Sequence, residues 1–111
     1  MHTDYEDVLE LPNGKELTPE NLYWHAEEVI QGRWPEAEPI IMEDPTYACW
    51  YAKLIIKDRW PEAEPFIMKD PKYTYYYACE VIKDRWPEAE PIIMKKQDAW
   101  RGYRKHFGIS E

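Results

Sequence analysis

The sequence predicts an all-α fold, a short α-solenoid of helix-turn-helix repeats, on three observations. A seven-residue block recurs verbatim, proline marks the same helix starts in each copy, and apolar residues fall in helical stripes. The block Arg33-Trp34-Pro35-Glu36-Ala37-Glu38-Pro39 returns at residues 59–65 and 85–91, a period of 26 both times. Each copy runs on into an apolar pair and a methionine: Ile40-Ile41-Met42, Phe66-Ile67-Met68 and Ile92-Ile93-Met94. A period of roughly 20 to 50 residues is the mark of stacked arrays, whose units bury their apolar faces only against neighbours.

Each unit reads as a longer and a shorter helix. The longer one begins where Thr18, Asp44 or Asp70 can accept from the orphan N–H groups of a helix start, and Pro19, Pro45 or Pro71 takes the first helical position. Ala48, Tyr51, Ala52 and Ile55 then fall at i, i+3, i+4 and i+7, and Thr74, Tyr77, Ala78 and Val81 repeat that stripe. Gly32, Asp58 and Asp84 share the place after the last apolar residues and are expected to end these helices.

The shorter helix begins at Pro35, Pro61 or Pro87, and a second proline four residues on removes the hydrogen bond that would return to the first. An irregular first turn follows. Trp34, Ala37 and Ile41 fall at i, i+3 and i+7, placing the tryptophan against a partner helix.

The ends differ from the middle. Residues 1–111 read as one helical-repeat domain: an acidic cap (1–17), a half repeat (18–32), three repeats (33–58, 59–84 and 85–107) and a tail (108–111). Asn13-Gly14 is a turn signal in the cap, and Gly108 is a helix stop near the other end. Charge is graded along the chain: residues 1–32 hold eight acidic and one basic side chain, residues 85–111 four and six.

Composition excludes several classes. The formal net charge of -8 leaves no overall basic face to neutralise phosphates, so direct nucleic-acid binding is not expected and a basic partner is. No apolar run reaches the roughly 18 residues that a membrane span needs, and the acidic start lacks the basic-then-apolar pattern of a leader. An uncleaved cytosolic protein is expected. Cys49 and Cys79 occupy different places in the repeat and read as free thiols. His2, His25 and His106 have no second ligand at metal spacing, and no nucleotide-binding or catalytic motif is present, so no enzyme, metal or cofactor is expected.

The remaining candidates are surfaces. Glu36 and Glu38, echoed by Glu62 and Glu64 and by Glu88 and Glu90, suit the positive ends of helices and could also form an acidic ridge. Arg33, Arg59 and Arg85 beside the tryptophans suggest a clamp between repeats, since a guanidinium pairs with carboxylate or stacks on indole. Trp34, Trp60 and Trp86 read as core. Tyr73, Tyr75, Tyr76 and Tyr77 cover every side of one helix, so at least one faces solvent, and with Trp50 they outline an aromatic contact surface.

The repeat text resembles tandem R-W-P-E-A-E-P-x-I-M repeats in uncharacterised proteins of tailed bacteriophages, over about residues 18 to 96. That resemblance implies a viral setting and no assigned activity. The expected function is a non-enzymatic protein-binding module, an inhibitor of a host or anti-phage defence protein with a basic surface. Two alternatives stand beside it: an acidic mimic of nucleic acid, and an assembly protein that self-associates through acidic head and basic tail.

Overall fold

The computed structural model describes residues 9–110; residues 1–8, with His2 and the cap's Asp4, Glu6 and Asp7, lie outside the described residues, as does Glu111. Among the described residues the α-helices are α1 (Pro19–His25), α2 (Glu38–Ile41), α3 (Pro45–Tyr51), α4 (Glu64–Ile67), α5 (Pro71–Tyr77), α6 (Glu90–Ile93) and α7 (Gln97–Phe107). No strand occurs among the described residues. The long helices α1, α3, α5 and α7 pack side by side in succession, and each short helix lies between the long helices before and after it. The result is a helical-repeat solenoid 59 Å long and 22 by 21 Å across.

The helix starts follow from their capping residues. Thr18 Oγ1 accepts from Asn21 N–H at 3.1 Å, and Asp44 Oδ1 accepts from Thr46 N–H at 2.8 Å. Asp70 Oδ1 accepts from Lys72 N–H at 2.9 Å. At the same place before α7 stands Lys96, which makes no side-chain cap. Each short helix opens irregularly, as its paired prolines require: a 3-10 turn spans Pro61–Ala63 and again Pro87–Ala89.

The other ends correct an expectation. The first three long helices do not stop at Gly32, Asp58 and Asp84; they widen into a π turn over Ala26–Ile30, Ala52–Ile56 and Ala78–Ile82. Gln31, Lys57 and Lys83 close these turns, each donating its N–H to a carbonyl five residues back at 2.7 Å with φ near +60°. Asp58 and Asp84 come one residue later, and their side chains accept from Arg59 and Arg85 N–H at 2.7 Å. Each π segment ends in two β-branched residues, to which the wider turn gives room against the turn before. In α7 that stretch is Arg104-Lys105-His106-Phe107; it stays α-helical and ends on Gly108 at φ 66°.

The core runs the length of the stack. Ala37, Ala63 and Ala89 are buried where each short helix begins, and Leu11 holds the same place one period earlier. Ile41, Ile67 and Ile93 and the rings of Tyr51, Tyr77 and Tyr103 are buried in one interior cluster, and Ala48, Thr74 and Ala99 are buried as well.

Candidate interaction surface

The most regular polar construction is internal. Arg33 Nε and Nη2 each donate to one oxygen of Glu38 at 2.9 Å, and Tyr51 donates its hydroxyl hydrogen to Glu38 Oε2 at 2.7 Å. The Tyr51 oxygen in turn accepts from the Trp34 N–H at 2.7 Å. Arg59, Glu64, Tyr77 and Trp60 repeat the arrangement, as do Arg85, Glu90, Tyr103 and Trp86. It joins the entry of each short helix to the long helix of its own unit.

The tyrosine rings then reach into the next unit. Tyr51 packs on Trp60 with centroids 4.8 Å apart, and Tyr77 on Trp86 at 5.2 Å. Arg59, while holding Glu64, lies over the Trp86 ring at 5.7 Å, so the arginine acts both within its unit and across the junction. At the start of the array His25 stands one period before Tyr51, and its ring lies 5.1 Å from Trp34. Burial foremost raises the hydroxyl pKa of Tyr51, Tyr77 and Tyr103, with the bond to the glutamate raising each further.

This arrangement divides the expected acidic ridge. Glu38 is buried, and Glu64 and Glu90 are half-buried in their ion pairs, so these three do not present free carboxylates. Glu36, Glu62 and Glu88 remain exposed. Six ridge carboxylates become three, because an early-helix glutamate with an arginine five residues before it folds onto that arginine. Tyr77 is likewise corrected as a surface candidate: it is fully buried and its hydroxyl is committed.

The other aromatic candidates divide by the helix faces they occupy. Tyr75 is half-buried against α7, where Gly102 leaves room for its ring. Tyr73 packs edge-on to Tyr76 at 6.2 Å, and its carbonyl accepts from the Cys49 thiol at 3.4 Å. Burial pushes the thiol pKa of Cys49 well up and that of Cys79 to about 11. Among the described residues, no group of three or more His, Cys, Asp or Glu side chains could hold a metal ion.

What the sequence pattern left unassembled is a row. Trp24, Trp50 and Tyr76 hold one repeat position on α1, α3 and α5, and the next member is Gly102. Trp24 and Trp50 lie 6.5 Å apart, edge to face. With Tyr23, Glu27 and Leu54 they line a shallow groove of about 380 Å³. Trp24 is 41% exposed and Leu54 49%, large values for such apolar side chains. Glu27 stands in the groove, and the Tyr23 hydroxyl pKa is raised to about 12 by burial first and then by Glu27. The signal that could have found this row was the period itself, applied to residues that differ between units.

Among the described residues, no helix is long and apolar enough to cross a membrane. No protein-family model, curated protein or solved structure matches this chain.

Proposed function

We propose that the chain is a non-enzymatic protein-binding module and that its partner docks on the row Trp24, Trp50 and Tyr76 together with Leu54. The observation that supports it is the groove itself: two indoles, a phenol ring and a half-exposed leucine gathered on one face. Interfaces draw most of their affinity from a few aromatic anchors ringed by polar groups, and this row has that composition. Glu20, Glu27 and Glu28 lie on or just after α1, which favours a partner segment with an apolar anchor and lysine or arginine beside it. The phage resemblance of the repeat gives the setting: a host or anti-phage defence protein, held and thereby inhibited.

The test uses the full chain as bait in bacterial lysate, beside Leu54→Asp and Glu62→Gln baits. A specific protein retained by the first and third but lost on Leu54→Asp, with purified affinity reduced about thirtyfold or more, is the expected result. Identical retention on all three baits would sink this surface. Loss on Glu62→Gln alone would move the reading to the exposed glutamates and an acidic mimic.

A further inference from the structure

The two ends of the stack are related through one interior junction. Between α3 and α5, Lys53 Nζ pairs with Glu80 Oε1 at 3.0 Å and lies 5.6 Å over the Tyr76 ring. Two periods of 26 forward from Lys53 is Lys105, exposed on α7. Two periods back from Glu80 and Tyr76 are Glu28 and Trp24, both exposed. Neither of the other junctions has this set: the lysine place holds Glu27 before α3 and Cys79 before α7.

The receiving face also carries an open groove. It measures about 420 Å³ and lies on α1, lined by Leu11, Asn21, Trp24, His25, Glu28 and Val29 among others. Asn21, Trp24 and Glu28 stand one period before Tyr47, Trp50 and Leu54, the α3 side that receives α1, and two periods before Tyr73, Tyr76 and Glu80 on α5. Val29 is 64% exposed, the most open of the large apolar side chains on the described surface. On α7, Arg101 holds the place from which Cys49 bonds to the next helix and makes a 3.6 Å contact with an exposed Asp98.

We infer that the α1 groove of one copy receives α7 of a second copy, so that chains stack head to tail and the solenoid continues across the junction. Lys105 of one molecule then meets Glu28 and the Trp24 ring of the next, as Lys53 meets Glu80 and Tyr76 inside each. Glu28 in the groove, with Glu16, Glu20 and Glu27 near it against the single Lys15, and Arg101 and Lys105 on the incoming helix favour this sense of approach. The contact joins two different surfaces, so it builds open chains unless the rotation closes them into a ring. It shares Trp24 with the proposed partner site, while Trp50, Tyr76 and Leu54 take no part in it.

Sedimentation velocity over a range of protein concentrations is the test, at about 0.01 M salt, where exposed charges are felt over about 30 Å, and at about 1 M, where they are screened. The wild-type mass should grow with concentration at low salt and fall back to monomer at high salt. Glu28→Lys or Lys105→Glu alone should weaken association about tenfold, through repulsion where there was attraction. Mixing the two single variants should restore growth, because every junction between unlike copies again joins opposite charges. A wild-type chain that stays monomeric at low salt overturns the proposal and leaves the groove to a partner protein. Growth that neither reversal weakens, or that mixing fails to restore, also overturns it.

Discussion

Tyr77 donates its hydroxyl hydrogen to Glu64 across 2.8 Å, joining residues thirteen apart, and the same oxygen accepts from the buried Trp60 N–H at 2.6 Å. Removing that one oxygen leaves two groups short of a partner. Tyr77→Phe is therefore expected to destabilise the fold by about 1 to 3 kcal/mol, although its ring still packs on Trp86. Urea unfolding monitored by helical circular dichroism checks it, and an unchanged midpoint would mean that the hydrogen-bonded set contributes no net stability.

The same tyrosines set an alkaline limit. In Tyr23, Tyr51, Tyr77 and Tyr103 the pKa in the folded chain lies above the ordinary value near 10. Unfolded chains then lose these protons at lower pH than folded ones, so the unfolded state gains as pH rises. Their contribution is complete below about pH 10 and is lost above it, for Tyr23 by about pH 12. Stability should fall steadily through that window, with tyrosinate absorbance from the buried hydroxyls appearing together with loss of helicity. Full ionisation of all tyrosines near pH 10 with helicity intact would contradict this.

At the π turns, a left-handed backbone is held by residues with a β-carbon. Lys57 and Lys83 have φ of 63° and 62°, a conformation that disfavours L side chains by roughly 1 to 2 kcal/mol and that glycine adopts freely. After allowing for the looser unfolded chain, Lys83→Gly should raise stability by about 0.5 to 1 kcal/mol. Asp84→Gly, one residue on, should lower it, because the Asp84 side chain accepts from Arg85 N–H. Thermal melts of the two variants should move in opposite directions.

Gly102 and Tyr75 form a size-matched pair. A β-carbon at Gly102 would lie 2.6 Å from the Tyr75 oxygen and 2.8 Å from its ring. Gly102→Ala gains about 1 kcal/mol of helix propensity but should destabilise overall, since overpacking costs about 1 to 3 kcal/mol. In a Tyr75→Leu background the same change should stabilise. A double-mutant cycle with no coupling between the sites would rule out the contact as the reason for glycine.

Much of the architecture is legible in the sequence. The Thr18, Asp44 and Asp70 caps, the proline starts and the Ala48, Tyr51 and Ala52 stripe are local signals, and local signals survive packing. The helix ends were misplaced by one residue because a π turn adds a residue without altering the apolar pattern that precedes it. Pairing of Arg33 with a carboxylate was legible from the Arg-Trp and Glu-x-Glu texts, but the part of Tyr51 was not, because it lies thirteen residues from Glu38 on a different element. One trace of it was visible. Tyr103 persists in α7 where most of the aromatic tract is gone, and where no arginine and glutamate precede it, the first unit has His25 instead. Exposure along the tract from Tyr73 to Tyr77 depended on which side the neighbouring helix took, and one helix alone cannot encode that.

The placement of each Arg, Glu and Tyr set within its own unit also governs how this molecule could change length. Asp58 and Asp84 both precede the identical text Arg-Trp-Pro-Glu-Ala-Glu-Pro, so splicing residue 58 to residue 85 leaves an unscarred seam. Every surviving hydrogen-bonded set would stay whole, and Tyr51 would meet Trp86 as it now meets Trp60. Length is thus quantised: the 59 Å body can be trimmed or extended in whole steps of 26 residues, like a ruler cut only at its marks.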